Sequence, residues 1–141
     1  MMKPTPELPL PVVLFVDDEP SLLRAMTRSL SRQPYTLITA ESAVEGLAIL
    51  AERTVDIVVS DERMPGLAGS DFLRRIRAAY PKIVRIMLTG DPGLPSAVHA
   101  INAGALYRFL SKPVSFDELC RTLRQAAHMQ RVQADSSALR R

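Results

Sequence analysis

The sequence contains a single cysteine, and no apolar run in it approaches the roughly 20 residues that a membrane-spanning helix needs. Cys120 therefore has no partner for an internal disulfide. It also lacks the Cys and His companions of a metal site, so we predict a core residue. The first four residues lead into further prolines rather than an apolar signal core. We expect a protein of the cytoplasm that does not contact a membrane.

Length, composition and charge indicate one globular domain. The chain has 141 residues, of which 47% are hydrophobic and 23% charged, an ordinary globular composition. The net charge is +3, and basic residues exceed acidic ones only in the second half. Arginines of that half, such as Arg74 and Arg124, fall on the polar faces of two separate predicted helices. We therefore expect no direct nucleic-acid binding.

Short apolar runs recur along the chain at strand length. They cover residues 12–16, 35–40, 55–59, 83–88 and 106–110, the second being the weakest. Continuous rather than alternating apolar residues indicate strands that are buried on both faces, as in a parallel sheet.

Helical patterns fill the intervals between these runs. Capping-box pairs open two of the helices, Ser42 with Glu45 and Ser115 with Glu118, and Gly104 is predicted to end a short fourth helix. The last helix is predicted to bury Phe116, Leu119, Cys120, Leu123 and Ala127. Five strand–helix units predict an α/β fold, a three-layer sandwich with helices on both faces of a doubly wound parallel sheet. We expect an irregular lead-in over residues 1–10, one domain over 11–130, and a frayed helix or linker over 131–141.

Polar side chains follow four of the five predicted strands. Asp17 and Asp18 come after the first strand, Asp61 ends the third, Thr89 ends the fourth and Lys112 follows the fifth. In an open parallel sheet, ligands bind where the carboxyl ends of the strands open into loops. Three carboxylates, a hydroxyl and an ammonium group are therefore expected to converge on one rim.

Such a group of side chains suits phosphoryl transfer. Three clustered carboxylates repel one another and favour a hard cation such as Mg²⁺, or Mn²⁺ in its place. Asp61 is the candidate nucleophile, which would form an acyl phosphate. The cation, the Lys112 ammonium and the Thr89 hydroxyl would each neutralise or hydrogen-bond one phosphoryl oxygen.

Four stretches carry these residues. They read Val13-Leu14-Phe15-Val16-Asp17-Asp18-Glu19-Pro20, Ser60-Asp61-Glu62-Arg63-Met64-Pro65-Gly66-Leu67-Ala68-Gly69, Met87-Leu88-Thr89-Gly90 and Phe109-Leu110-Ser111-Lys112-Pro113. With them the chain resembles the response-regulator receiver family of two-component signal transduction, the CheY-like domains, over about residues 10–130. The resemblance implies a flavodoxin-like fold with the strand order 2-1-3-4-5.

The resemblance also implies residue roles. Asp61 would be the phosphoacceptor, and Asp18, Asp61 and the backbone carbonyl of Arg63 would bind Mg²⁺ directly, with Asp17 acting through water. Thr89 and Phe109 would form the conformational switch. A cis peptide bond is implied between Lys112 and Pro113. The chain would then be a signalling domain that promotes its own phosphorylation and dephosphorylation, rather than an enzyme with a separate substrate.

Partners follow from the same resemblance. A sensor histidine kinase or phosphotransfer domain is expected to dock on the first helix near Leu22 and Met26. An output domain or a second copy would use the face between the fourth and fifth helices. The chain is a single-domain regulator or a piece of a longer one. As a further hypothesis, Arg63 and Asp91 pair across the mouth of the site and slow the hydrolysis of the phosphoryl group.

Two other functions compete with this interpretation. A receiver-like scaffold that binds partners without phosphorylation is one, although such modules tend to lose acidic or lysine positions, and none is lost here. A phosphatase of the haloacid dehalogenase type is the other. That class needs a second acid two residues after the nucleophile, where this chain has Arg63.

Overall fold

The computed structural model describes residues 9–91 and 107–139, with side chains as far as residue 133. The strands are β1 (Val12–Val16), β2 (Thr36–Ala40), β3 (Ile57–Asp61), β4 (Val84–Thr89) and β5 (Arg108–Ser111). The helices are α1 (Pro20–Leu30), α2 (Ala43–Glu52), α3 (Gly69–Ala79) and the C-terminal helix (Phe116–Leu139). The predicted fourth helix lies outside the described residues.

The five strands form one parallel sheet in the order β2-β1-β3-β4-β5. This confirms both the predicted fold and the predicted strand order. Because every pair is parallel, the carboxyl ends of the strands share one edge. At that edge Asp61 is paired with Leu88, and Thr89 with Ser111.

Two apolar clusters, one on each face of the sheet, explain the continuous runs. Successive residues of β1 alternate between them, with Val13 and Phe15 in one cluster and Leu14 and Val16 in the other. The first cluster packs against α1 and the C-terminal helix, and the second against α2 and α3. A strand covered on both faces needs apolar residues at every position, so its sequence does not alternate.

Both predicted capping residues act at the starts of their helices. The Ser42 hydroxyl accepts a hydrogen bond from the Glu45 amide at 3.1 Å, and the Ser115 hydroxyl accepts one from the Glu118 amide at 3.1 Å. These contacts satisfy backbone donors that the first turn of a helix leaves unpaired.

The C-terminal helix differs from its predicted buried stripe, and it extends into the tail, for which a frayed helix was one of the two expectations. Phe116 was expected in the buried stripe, but 41% of its surface is exposed, and Thr122 and Ala126 are buried instead. At the other end the helix continues to Leu139, beyond the point where the apolar pattern fades. Periodicity places residues on a face, but it does not show how far the neighbouring elements cover that face.

Candidate functional site

Three carboxylates converge at the carboxyl edge of the sheet. Asp17 follows β1 directly, Asp18 comes next, and Asp61 ends β3, so adjacent parallel strands deliver all three to one place. One carboxylate oxygen from each lies within 4.8 Å of those of the others. Asp17 and Asp61 are buried and Asp18 is exposed, which leaves one side of the cluster open to solvent.

The side chain of Lys112 brings a positive charge to this carboxylate cluster. Its Nζ lies 2.5 Å from Asp61 Oδ1 and 3.4 Å from Asp17 Oδ2. The Lys112 amide donates to the Thr89 carbonyl at 2.8 Å, and the Lys112–Pro113 bond is cis, as the resemblance implied. Burial alone would lower the pKa of Lys112, but the two carboxylates outweigh it and raise the pKa, so this side chain stays charged.

Asp17 is held in place by backbone groups. Its Oδ1 accepts a hydrogen bond from the Glu19 amide at 2.9 Å, and its own amide donates to Ala40 at 3.1 Å. Burial raises the pKa of Asp17 above its usual 3.8, and the Asp61 charge raises it further, whereas the Glu19 amide and Lys112 lower it. The folded chain therefore pays a free-energy cost for keeping this carboxylate ionised.

That cost gives stability a testable pH dependence in metal-free buffer. Because the folded-state pKa of Asp17 lies above 3.8, the folded chain binds this proton more tightly than the unfolded chain. The contribution of Asp17 to the free energy of unfolding therefore falls as pH rises from 3.8 through the folded-state pKa. Asp17→Asn should remove this fall while its side-chain oxygen still accepts from the Glu19 amide.

Urea unfolding of both proteins, followed by circular dichroism between about pH 4 and 7, measures the difference. Wild type should lose stability relative to Asp17→Asn as pH rises across that range. A constant difference between the two proteins would contradict the assignment of this cost to Asp17.

The two residues predicted to form the switch lie on neighbouring strands, Thr89 on β4 and Phe109 on β5. Thr89 is fully buried, and its hydroxyl oxygen accepts a hydrogen bond from the Asp91 amide at 3.1 Å. Phe109 is half-buried and packs against the cluster on the α2 and α3 face. The Thr89 hydroxyl can accept from Asp91 while its own proton remains available for another acceptor.

Arg63 lies beside Glu62. Its Nε is 3.5 Å from Glu62 Oε2, and 77% of the Arg63 side chain is exposed. Glu62 was not among the predicted site residues, but it is only 8% exposed and lines a shallow pocket with Asp18, Arg63 and Met64. An acidic residue next to the acceptor was the only available sign of it, and the sequence alone does not show that this side chain is buried.

The donor set fits a hard divalent cation. Three carboxylates carry more negative charge than the single Lys112 neutralises, and they present oxygen atoms close together. Mg²⁺ prefers such ligands and keeps open positions for water or for substrate oxygens. Asp17, Asp18 and Asp61 are thus the side chains of the described residues that would hold it.

Comparison with known proteins agrees with this geometry. The family model described as "Response regulator receiver domain" matches residues 13–124. The chain is 38% identical over 131 residues to the C4-dicarboxylate transport transcriptional regulatory protein DctD of Rhizobium meliloti, covering 93% of this chain and 28% of that protein. It is 36% identical over 127 residues to the hydrogenase transcriptional regulatory protein HoxA of Cupriavidus necator, covering 90% of this chain and 26% of that one.

Solved structures give the same result. The signal receiver domain of an HD domain-containing protein from Pseudomonas fluorescens Pf-5 is 43% identical, with a TM-score of 0.84. That match covers 87% of this chain and 98% of the solved one.

The chain therefore belongs to the response-regulator receiver family, as its motifs indicated. It spans about a quarter of the length of the two curated relatives described above. Among the described residues, no helix is both long enough and apolar enough to cross a membrane.

Proposed function

We propose that the chain accepts a phosphoryl group on Asp61 from a histidine kinase or phosphotransfer domain of the cytoplasm and thereby controls an output partner. The observation that carries this proposal is the placement of Asp61. Its Oδ1 lies 2.5 Å from the Lys112 ammonium, inside a cluster of three carboxylates at the edge of the sheet. A nucleophile, a fixed positive charge and a candidate cation site are thus in contact.

The reaction is a displacement at phosphorus. An Asp61 carboxylate oxygen attacks the phosphorus of a phosphohistidine, the P–N bond breaks, and the freed imidazole keeps its electron pair and takes up a proton. Asp18, Asp61 and the Arg63 backbone carbonyl would hold Mg²⁺, with Asp17 acting through water, and the bound cation would supply positive charge to offset that of the transferred group. Lys112 neutralises a second phosphoryl oxygen, and the Thr89 hydroxyl donates to a third.

The new charge then acts on a switch. In the described structure the Thr89 hydroxyl oxygen accepts from Asp91 at 3.1 Å, and Phe109 is half-buried one strand away. A phosphoryl group at Asp61 is a strong acceptor for the Thr89 proton and would draw this hydroxyl towards β3. Phe109 would follow inward, because movement of Thr89 frees space for the ring.

Intact-protein mass tests phosphoryl acceptance. Wild type incubated with Mg²⁺ and a small acyl-phosphate donor should gain about 80 Da, the mass of one phosphoryl group, and chelation of the metal should prevent the gain. If the protein binds Mg²⁺ but gains no mass from this donor or from an authentic kinase, the phosphorylation-independent scaffold becomes the better account.

A groove beside the site offers a place for the phosphodonor partner. It has a volume of about 510 Å³ and lies between α1 and the start of the C-terminal helix. Leu22 and Met26 line it from α1, Val114 and Phe116 line it from the opposite wall, and Lys112 borders it. An apolar groove next to Asp61 would let a partner helix bring its phosphohistidine to the acceptor.

Phe116→Glu should therefore slow phosphoryl transfer from a protein donor by at least about tenfold, the loss of one well-packed aromatic contact. It should leave the rate with the small acyl-phosphate donor unchanged, because that donor needs no docking surface. Mass spectrometry over time measures both rates, and equal slowing with the two donors would contradict the docking role.

Arg63 is proposed to prolong the life of the phosphoryl group. Its exposed side chain lies beside Glu62 and lines the same shallow pocket as Asp18, the exposed carboxylate of the cluster. From there it would hinder a water that approaches the phosphoryl group. Arg63→Ala should lose the phosphoryl group several-fold faster than wild type. Decay of the mass gain after removal of the donor measures this, and equal lifetimes would refute the role, including the postulated pairing with Asp91.

A further inference from the structure

The helix α3 begins directly against the backbone of the acceptor. Gly69, its first residue, is buried, and a Cβ atom added there would overlap the carbonyl oxygen of Asp61 and lie 2.9 Å from Glu62 Cα. Both neighbours are backbone atoms, so no side-chain rotation relieves the overlap. Only glycine allows α3 to approach the end of β3 this closely.

A chain of backbone hydrogen bonds joins the same elements. The Gly69 amide, at the first position of α3, donates to the Glu62 carbonyl at 3.0 Å. The Glu62 amide in turn donates to the Leu88 carbonyl of β4 at 2.9 Å. The residue that follows Asp61 is therefore held from both sides, by β4 and by the start of α3.

We infer that Gly69 is a positioning residue for the phosphoacceptor site. By letting α3 rest on the Asp61 and Glu62 backbone, it fixes the direction of the Asp61 carboxylate and of the Arg63 carbonyl that follows. The inference rests on the proposed function, which assigns both groups to the cation. Sites of this kind tolerate displacements of only about 0.5 Å, less than a backbone overlap would impose.

Calorimetric titration with Mg²⁺ separates this role from a general loss of stability, because Gly66, in the loop between β3 and α3, is a matched control. Gly66 has a φ of 80°, and a Cβ there would meet nothing within 4 Å. Gly66→Ala therefore strains the loop without touching Asp61, whereas Gly69→Ala displaces the Asp61 backbone. Both variants should melt at a lower temperature than wild type.

Gly69→Ala should raise the Kd for Mg²⁺ by about 10–100-fold, the range for lost support of a metal ligand. Gly66→Ala should keep the wild-type Kd. Equal Kd values for Gly69→Ala and wild type would overturn the inference, as would equal weakening in both variants. The titration needs no phosphoryl donor, so it remains interpretable if wild type proves unable to accept a phosphoryl group.

Amide hydrogen exchange of the wild-type protein covers the case in which Gly69→Ala does not fold. If the cation and the start of α3 stabilise the same backbone, then by linkage Mg²⁺ must slow exchange at Gly69. The amide of Gly46 in α2, which donates to the Ser42 carbonyl, reports general stabilisation. Greater slowing at Gly69 than at Gly46 supports the inference, and equal or smaller slowing overturns it.

Discussion

Asp61→Asn is expected to abolish phosphoryl acceptance while leaving the fold intact. The amide has nearly the same shape as the carboxylate, but it is a poor nucleophile and cannot form an acyl phosphate. It also removes one of the three charges that attract the cation. With Mg²⁺ and an acyl-phosphate donor, the variant should show no gain of about 80 Da, whereas wild type should show a single one.

Glu62→Gln is the matched control for this variant. Glu62 directly follows Asp61 and is also buried. Its replacement by glutamine removes one negative charge, the same change that Asp61→Asn makes one residue earlier. Phosphoryl acceptance should survive in Glu62→Gln. If Asp61→Asn gained mass as wild type does, or if only Glu62→Gln failed to gain it, the acceptor would have been assigned to the wrong residue.

Lys112→Met is expected to slow phosphorylation by about 10²–10³-fold, the usual effect of losing one group that stabilises transition-state charge. Methionine keeps most of the length of the side chain and removes the ammonium, which lies 2.5 Å from Asp61 Oδ1. Mg²⁺ should still bind, because the three carboxylates remain. The time course of the mass gain at saturating Mg²⁺ and donor gives the rate.

Lys82→Met controls for the loss of a positive charge. Lys82 is exposed and lies in the loop before β4, at the opposite end of the sheet from the site. The phosphorylation rate of Lys82→Met should match that of wild type. If Lys112→Met also matched wild type, its contact with Asp61 would be structural rather than catalytic, and the assigned role of Lys112 would be wrong.

The three carboxylates of Asp17, Asp18 and Asp61 lie close together although their charges repel one another. Asp17 is 2% exposed and close to two further carboxylates, and its pKa is raised, chiefly by burial. Lys112 offsets part of this cost. A third carboxylate beside a single lysine adds charge repulsion and does not stabilise the fold. A ligand that brings positive charge therefore explains the arrangement better.

Sequence patterns were enough to predict the sheet and the residues at its edge. The apolar runs located β1 to β5 to within about two residues, an uncertainty expected at the ends of elements. Parallel strand order then requires Asp17, Asp61, Thr89 and Lys112 to share one edge, and in the structure they do. Their positions along the chain carry this information because each one ends a strand or follows it directly.

What the sequence could not predict depends on close packing between elements distant along the chain. The exposed face of Phe116, the burial of Glu62 and the contact of Gly69 with Asp61 each depend on how far a neighbouring helix covers the strand ends. Periodicity describes one element at a time. A glycine at the start of a helix therefore gave no sign in the sequence that it rests on the acceptor.

Chemical trapping of the phosphorylated residue shows directly whether Asp61 is the phosphoacceptor. An acyl phosphate on an aspartate is reduced by borohydride to homoserine, which marks the modified position permanently for peptide sequencing by mass spectrometry. After incubation of wild type with Mg²⁺ and a phosphodonor, we expect homoserine at position 61 and at no other aspartate. Homoserine at position 17 or 18, or a mass gain without any homoserine, would contradict it.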